Sequence, residues 1–372
     1  MRKFIPVNTP LVDGNEKKYI QECIDTGWIS SEGPFVTEFE EKFAERIGRK
    51  HGIAVTNGST ALETAIGALG LQKGDEVILP TFTIISCVAP LIRIGAIPVF
   101  IDADPLTWNM DANQIEDKIT PRTKAIMAVH IYGLPVDMEP LLNLSVRYGL
   151  KLIEDAAEAH GLHYKGRTCG SFGEISTFSF YPNKLITTGE GGMIVTDDDV
   201  IAEKCRSLRN LCFQDKKRFV HEELGWNYRM TNIQAAIGLA QIERLDEFIE
   251  KKRHIGRKYT ALLNGASNIQ RPLEKTIYAE NIYWIYGLVI DKKYPKDVHT
   301  VMNELKQLSI GTRPFFWPLH EQPVLKKYGL YKNESFPVAE QIARNGFYIP
   351  SGLAITDTEM EYVSEGIHSV LS

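Results

Sequence analysis

The sequence is short of the features that mark secreted, membrane or nucleic-acid-binding proteins. Its 5 cysteines include no CxxC pair, which argues against a disulfide scaffold and against a zinc site. No apolar run approaches the ~20 residues of a membrane helix, and residues 1–7 lack the apolar core of a signal peptide. A net charge of −5 gives no long-range attraction to nucleic acid or to anionic membranes. We therefore expect a cytoplasmic protein that binds neither.

The remaining composition is that of an ordinary globular protein, with 44% hydrophobic and 24% charged residues in a chain of 372. A chain of this length can bury a large core and form two domains. We expect a large domain over residues 1–245, which includes an N-terminal arm, and a smaller α/β domain over residues 246–372.

Short β-rich segments alternate with helical segments between residues 52 and 196. Strands are predicted at 53–56, 76–79, 98–102, 125–129, 151–155, 177–180 and 193–196, and helices at 60–69, 86–94, 111–118 and 138–148. This alternation predicts a buried, mostly parallel α/β sheet. In such sheets, ligands bind beyond the carboxyl ends of the strands.

The second half of the chain reads as a mixed α/β unit. One long helix is predicted from 231 to 263, followed by a strand at 283–290, a helix at 295–308, a strand through 310–313 and a last helix at 357–371.

An acid and a lysine follow neighbouring strands of the predicted sheet. Asp155 ends the apolar run 151–155, and Lys184 follows the next strand, before a glycine-rich turn at 189–192. Taken singly, Asp155 could cap a helix and Lys184 could lie on the surface. A buried carboxylate needs a partner, however, because desolvating it is costly. Together the two favour pyridoxal phosphate, whose carbonyl takes a lysine amine and whose ring nitrogen takes a carboxylate.

A phosphate site is predicted where the first strand of the sheet turns into a helix. Ser59 and Thr60 stand at the start of that helix, where free N–H groups and the helix dipole favour an anion. A plain Ser/Thr helix cap is the common alternative. The site gains weight because it lies at the same sheet edge as Asp155.

Two further segments carry groups suited to binding. Arg229, in the segment 226–232, could hold a carboxylate or phosphate with two hydrogen bonds, although an ordinary capping turn is favoured there. The aromatic and proline-rich segment 311–320 contains Arg313 and His320 and suits either sugar or nucleotide recognition or a packed inter-domain loop.

With these residues in place, the chain resembles the nucleotide-sugar aminotransferase family, which consists of pyridoxal-phosphate enzymes of fold type I. The resemblance runs over nearly the whole chain. It is carried by DTGWISSEG at 25–33, ITTGEGGM at 186–193, NYRMTNIQAAIGLAQ at 227–241, and Thr312, Arg313 and Pro314 together with His320.

The resemblance implies roles for individual residues. Lys184 would form the Schiff base and move protons, Asp155 would pair with the ring nitrogen, and Glu158 would lie near the phenolic oxygen. Ile84 stands where the family usually has an aromatic residue stacked on the cofactor ring. An aliphatic side chain would still pack on the ring, but the stacking contribution of ~1 kcal/mol would be lost. The phosphate would be held by Ser59, Thr60 and Ser179, and the substrate by Trp28, Ser30, Arg229, Arg313 and His320. Asn227 would reach the phosphate of a partner subunit's cofactor, which implies a homodimer with shared active sites.

The reaction implied is transfer of the amino group of L-glutamate to C4 of a nucleotide-linked 4-keto-6-deoxy sugar, foremost a GDP-linked one. Alternatives are a UDP- or dTDP-linked sugar, amination at C3, and a relative that dehydrates the sugar. The dehydrating relatives have a histidine at the position of Lys184, so the lysine favours amino transfer. A further alternative is a non-catalytic regulator that binds the cofactor. Such proteins usually carry a DNA-binding module, and this sequence contains no basic segment that suggests one. A Rossmann dehydrogenase is disfavoured because residues 57–60 supply no GxGxxG.

Overall fold

The computed structural model describes residues 3–214, 217–331 and 333–371. The helices of these residues are α1 (Glu16–Thr26), α2 (Pro34–Ile47), α3 (Gly58–Ala68), α4 (Ala89–Ile94), α5 (Met138–Tyr148), α6 (Asp199–Arg209), α7 (Asn232–Ile242), α8 (Leu245–Leu262), α9 (Val298–Gln307), α10 (Pro323–Lys327), α11 (Pro337–Asn345) and α12 (Asp357–Leu371). The strands are β1 (His51–Val55), β2 (Glu76–Pro80), β3 (Ile97–Ile101), β4 (Thr123–Val129), β5 (Lys151–Asp155), β6 (His163–Tyr164), β7 (Arg167–Thr168), β8 (Ile175–Ser179), β9 (Gly192–Thr196), β10 (Ile269–Gln270), β11 (Tyr286–Ile290), β12 (Arg313–Pro314) and β13 (Gly346–Ile349).

The predicted mostly parallel α/β sheet is confirmed. A 7-stranded sheet has the order β1-β9-β8-β5-β4-β2-β3, and the pairs from β8 to β3 are parallel. Strand β9 runs antiparallel to both of its neighbours. Because β8, β5 and β4 run in the same direction, the segments that follow them meet at one edge of the sheet.

Helices cover both faces of this sheet, so its central strands read as continuous apolar runs. One core packs α2, α5 and α7 against the sheet, and its members include Phe39, Leu141 and Leu239. The other core packs α3, α4 and α6 on the opposite face, with Leu62 and Leu91 among its members.

Two predicted helices needed correction. The predicted single helix 231–263 is two helices, α7 and α8, because Arg244 has φ −112° and ψ 12° and thus leaves the helical region. The Arg244 guanidinium also bonds Glu247 on α8 and Asp13 near the N-terminus. The predicted helix 111–118 consists of two single 3₁₀ turns, Ala112–Gln114 and Glu116–Lys118.

The second half of the chain forms a 4-stranded antiparallel sheet in the order β10-β11-β13-β12. Helices α8, α9 and α12 pack their apolar residues on it. The N-terminal segment joins this unit, because Ile5 pairs with Ile310 and the Val7 carbonyl accepts the N–H of Ser351. The domain boundary near residue 245 stays a prediction.

A close backbone approach joins the two sheets next to the cavity described below. The N–H of Ile282 donates to the Gly133 carbonyl at 3.0 Å. Gly133 has φ 97°, and a Cβ there would lie 2.5 Å from the backbone nitrogen of Trp284. Only glycine fits this position. Within the part of the chain that the structure describes, no helix has the length and apolar character needed to cross a bilayer.

Candidate active site

A cavity of about 630 Å³ opens at the carboxyl edge of the 7-stranded sheet. Two sets among its lining residues differ in chemistry. The polar floor consists of Ser59, Asp155, Glu158, Ser179 and Lys184. The aromatic wall consists of Tyr132, Trp284, Phe316 and Tyr348. The cavity therefore offers charged groups together with aromatic ring faces.

Lys184 lies in a tight turn after β8, where its backbone N–H donates to the Tyr181 carbonyl at 2.8 Å. Its side chain is only 11% exposed. The Nζ atom lies 3.4 Å from Glu158 Oε1 and 3.9 Å from the centre of the Trp284 ring. The fold thus delivers a primary amine into the cavity, beside a carboxylate and under an aromatic face.

Asp155 ends β5 and is buried at the cavity floor. Its carboxylate accepts the Ala157 N–H at 3.1 Å and the Cys87 thiol at 3.2 Å. Burial raises the pKa of Asp155, while these two hydrogen bonds and the charge of Lys184 oppose the shift. A buried carboxylate at this position fits a cationic N–H on a bound ring, because that charge would offset the cost of burying it.

Glu158 lies three residues after Asp155, in a turn, and links two parts of the cavity. Its Oε2 accepts the Tyr132 N–H at 2.9 Å, and its Oε1 bonds Lys184. Burial raises the pKa of Glu158 to about 7, and the charge of Lys184 opposes that shift. Glu158 can therefore take up or release a proton near neutral pH.

The start of helix α3 and the end of β8 meet at one end of the cavity. A Cβ on Gly58 would lie 2.7 Å from Ser179 Cβ, so the two backbones approach as closely as glycine allows. Asn57 caps the helix by accepting the Thr60 N–H at 2.9 Å, and the Thr60 hydroxyl is used within this cap. The Ser59 hydroxyl instead bonds Ser86 at 2.7 Å at the cavity surface.

This end of the cavity suits a phosphate. The first N–H groups of α3 have no partner within the helix and point out of its N-terminus. The hydroxyls of Ser59 and Ser179 stand beside them and line the cavity. Thr60 also lines it, although its hydroxyl is already engaged. Ile84, 46% exposed, lines the cavity as well.

Four of the predicted residues lie outside this cavity in the single chain. The side chains of Asn227 and Arg229 bond each other, with Asn227 Oδ1 accepting the guanidinium at 3.1 and 3.2 Å. Arg229 lines a separate cavity of about 210 Å³. Trp28 and Ser30 are exposed, and their backbone carbonyls accept hydrogen bonds from Asn232.

Arg313 and His320 also fall outside the residues that line the cavity. Arg313 is exposed on β12, directly before Pro314, which does line it. His320 is buried, and its two ring nitrogens lie 2.8 Å from Thr81 Oγ1 and 3.3 Å from Glu340 Oε1. Burial lowers the pKa of His320. This geometry does not support a substrate contact for His320, because both nitrogens face groups of the protein.

Sequence reasoning missed the aromatic wall. The rings of Tyr132 and Phe316 stack at 5.3 Å, and the Phe316 N–H donates to the Tyr132 hydroxyl at 3.1 Å. Tyr132 could have been found, because it follows β4 at the same sheet edge as Asp155. Phe316 lies in a segment that sequence analysis singled out without assigning this residue. Trp284 and Tyr348 carry no local signal, since they reach the cavity from the second sheet.

Comparisons with known proteins cover the whole of this architecture. The sequence model of the DegT/DnrJ/EryC1/StrS aminotransferase family matches residues 10–368. The chain is 41% identical over 370 residues to the GDP-perosamine synthase of Escherichia coli O157:H7, covering 100% of this chain and 99% of that one. It is 42% identical over 367 residues to the GDP-perosamine synthase of Caulobacter vibrioides, with coverages of 99% and 98%.

A solved structure agrees with the fold. The aminotransferase TlmJ from Streptoalloteichus hindustanus superposes with a TM-score of 0.91 at 29% identity, covering 99% of this chain and 98% of that one. The likeness therefore extends across both sheets and the cavity between them.

Proposed function

Because this chain belongs to the DegT/DnrJ/EryC1/StrS aminotransferase family, whose members use pyridoxal phosphate, we propose that it makes a 4-amino sugar on a nucleotide. The donor is L-glutamate and the acceptor is GDP-4-keto-6-deoxy-D-mannose, which would give GDP-perosamine. Two relatives that align along nearly the whole chain are named for that product. The observation that carries the proposal is the meeting of Lys184, Asp155 and Glu158 in one cavity.

The residues of the floor fit the cofactor. Pyridoxal phosphate supplies an aldehyde for an amine and a ring that accepts electrons. Lys184 would hold the aldehyde, Asp155 the ring nitrogen, and Glu158 would lie on the side of the phenolic oxygen. The phosphate would lie at the N-terminus of α3, with Ser59 and Ser179 beside it.

Lys184 is also the group best placed to move protons. When its amine is free, it can take a proton from the α-carbon of glutamate and, in the second half of the reaction, deliver one to C4 of the sugar. Glu158 lies 3.4 Å from this amine and, with its pKa raised to about 7, can exchange protons with it. The aromatic wall would offer ring faces to the sugar nucleotide.

We further propose a cytoplasmic homodimer with shared active sites. Trp28, Ser30, Asn227 and Arg229 lie on the surface of one chain, apart from its own cavity. Trp28 and its neighbour Ile29 are half exposed, which is unusual for large apolar side chains outside an interface. In the proposed dimer, these residues complete the partner's cavity. Mixing Lys184→Ala chains with Asn227→Ala chains tests this, because shared sites predict recovered activity in the mixed dimer and separate sites predict none.

The experiment that tests the function uses L-glutamate labelled with ¹⁵N and mass spectrometry of the products. GDP-4-keto-6-deoxymannose, its UDP and dTDP analogues and a 3-keto isomer serve as acceptors. We expect ¹⁵N in the GDP-linked product. Lys184→Ala should abolish the transfer, by at least about a thousandfold, whereas Lys165→Ala, an exposed lysine, should not change it.

The other outcomes each point elsewhere. Label in only the UDP- or dTDP-linked product would replace the proposed substrate. A product that has lost oxygen without gaining nitrogen would indicate dehydration. No labelled product with any acceptor, from protein that binds the cofactor, would indicate a regulator.

A further inference from the structure

The loop that carries Lys184 is held by side chains from outside the 7-stranded sheet. The Pro182 carbonyl accepts the side-chain amide of Asn8 at 2.8 Å, and the Asn183 carbonyl accepts the indole N–H of Trp284 at 2.8 Å. The two peptide units before Lys184 are therefore fixed by the N-terminal segment and by the second half of the chain.

Trp284 contacts Lys184 a second time through the face of its ring. The Lys184 Nζ lies 3.9 Å from the ring centre, well within the range of a cation–π interaction. The indole is 6% exposed, so little water screens this contact. One side chain thus bonds the loop through its N–H and covers the amine through its ring.

The backbone of Trp284 is itself fixed. Lys252, buried in α8, donates to the carbonyls of Trp284 at 2.8 Å and Ser351 at 2.5 Å. Burial lowers the pKa of Lys252 to about 7, as expected for an amine bonded to neutral carbonyls rather than to a carboxylate. On the other side, the Ile282 N–H, two residues before Trp284, donates to the Gly133 carbonyl at 3.0 Å. The backbone that carries the indole is thus tied to α8 and to the segment that follows β4.

We propose that Trp284 is a positioning residue for Lys184: its N–H orients the lysine loop, and its ring face stabilises positive charge on the lysine nitrogen. This proposal rests on the proposed function, because the effect matters for catalysis only if Lys184 is the lysine that holds the cofactor. Titratable groups that interact with Lys184 include Glu158, Asp155 and His160, and the same cavity is also lined by His130, Tyr132, Tyr181 and Tyr348. They are unchanged in the variants below.

Two substitutions separate the two contacts. Trp284→Phe keeps a ring face and loses the N–H donor, whereas Trp284→Leu loses both. The readouts are the pH midpoint of the visible colour of the cofactor-loaded enzyme and the rate at which glutamate bleaches that colour. Neither readout needs a sugar substrate.

Trp284→Phe should keep the colour midpoint and slow the bleaching about threefold to tenfold, the effect of one lost hydrogen bond. Trp284→Leu should slow it at least as much and also lower the midpoint by about half a unit to one unit, because the charged form loses the ring face. Lys252→Met should show the slower bleaching to a smaller degree, since it loosens the backbone of Trp284 without removing the ring.

Trp108→Phe is the matched control. Trp108 is also buried, and its indole N–H has no hydrogen-bond partner among the described residues. This variant should keep the midpoint and the bleaching rate. Circular dichroism of each variant shows whether it is folded, and the conservative Trp284→Phe carries the test if Trp284→Leu does not fold.

The proposal is overturned if Trp284→Phe bleaches as fast as Trp108→Phe, or if Trp284→Leu has the midpoint of Trp284→Phe. Borohydride reduction and peptide mass spectrometry of the wild type locate the cofactor. Attachment at Lys184 without amination of any nucleotide sugar would refute the proposed function and leave the positioning role standing. Attachment at another lysine would refute both.

Discussion

The polar floor and the aromatic wall of the cavity differ in how they are built and in how they respond to pH. The polar floor comes from segments that follow parallel strands of one sheet, and its members include Asp155 and Glu158, whose pKa values burial raises. The aromatic wall combines residues from both halves of the chain. Burial raises the pKa of Tyr132 well above its usual value and that of Tyr348 to about 12.

Apart from Trp284, which contacts Lys184, this difference separates chemistry from recognition. Near neutral pH, the floor can change its charge, while the two tyrosines of the wall stay neutral. Substitutions in the floor should therefore affect cofactor chemistry and pH dependence. Substitutions of Tyr132, Phe316 and Tyr348 in the wall should affect how tightly the sugar nucleotide binds. Trp284 belongs to the wall but contacts Lys184, so its substitution should also affect the chemistry of the floor.

Among variants that keep Lys184, the largest expected effect comes from Asp155→Asn. The amide keeps the shape of the carboxylate but cannot neutralise a cationic ring nitrogen, so the charge-assisted bond is lost. We expect kcat to fall on the order of a hundredfold, the size of a buried charged hydrogen bond. Steady-state kinetics and the visible spectrum of the variant measure this.

Asp102→Asn is the control for that experiment. Asp102 is as buried as Asp155 and follows β3, the strand at the edge of the same sheet, but it caps helix α11 by accepting the N–H groups of Val338 and Ala339. Its loss should lower stability and leave the cofactor spectrum unchanged. Equal losses of kcat in the two variants would remove the special role of Asp155.

Much of the floor could be predicted from sequence. The rule that ligands lie beyond the carboxyl ends of parallel strands brings Asp155, Ser59 and the Lys184 turn to one edge, and the structure places them there. Each lies within a few residues of a strand with a strong apolar pattern. Local sequence is therefore enough to find them.

Most of the wall could not be predicted in this way; Tyr132, which follows β4 at the same sheet edge, is the exception. Trp284 reaches Lys184 only because Gly133 lets two backbones meet and Lys252 fixes the carbonyl of Trp284. Such contacts join residues far apart in sequence and leave no periodic signal. For the same reason His320, in a promising aromatic segment, proved to bond Thr81 and to face Glu340 instead of lining the cavity.

The second prediction concerns pH and the floor. Burial raises the pKa of Glu158 from 4.5 to about 7, so the folded protein holds a proton that the unfolded chain has released between these values. Ionising Glu158 thus costs stability as pH rises through this window. The free energy of unfolding of Glu158→Gln, relative to that of the wild type, should rise by about 2 to 3 kcal/mol between pH 5 and pH 8.

Urea unfolding of the cofactor-free protein at the two pH values measures this gain. Glu41→Gln, at an exposed glutamate of α2, should show no such change and serves as the control. A stability difference for Glu158→Gln that is the same at pH 5 and pH 8 would show that Glu158 is ionised throughout. In that case the floor would be no more sensitive to pH than the wall.

The smallest expected effect is in the wall. Tyr132→Phe keeps the ring stacked on Phe316 but leaves the Phe316 N–H without its acceptor. Loss of this hydrogen bond, which contributes about 0.5 to 1.5 kcal/mol net, should raise KM for the sugar nucleotide about threefold to tenfold. The rate of the glutamate half-reaction should stay the same. Tyr286→Phe, which removes a buried hydroxyl bonded to Thr260 in the second sheet, should leave KM unchanged. The variant keeps the Tyr132 backbone N–H that bonds Glu158. If Tyr132→Phe instead slowed the glutamate step, a shift of this N–H would be the structural link, and Tyr132 would join Trp284 as a wall residue that takes part in the chemistry.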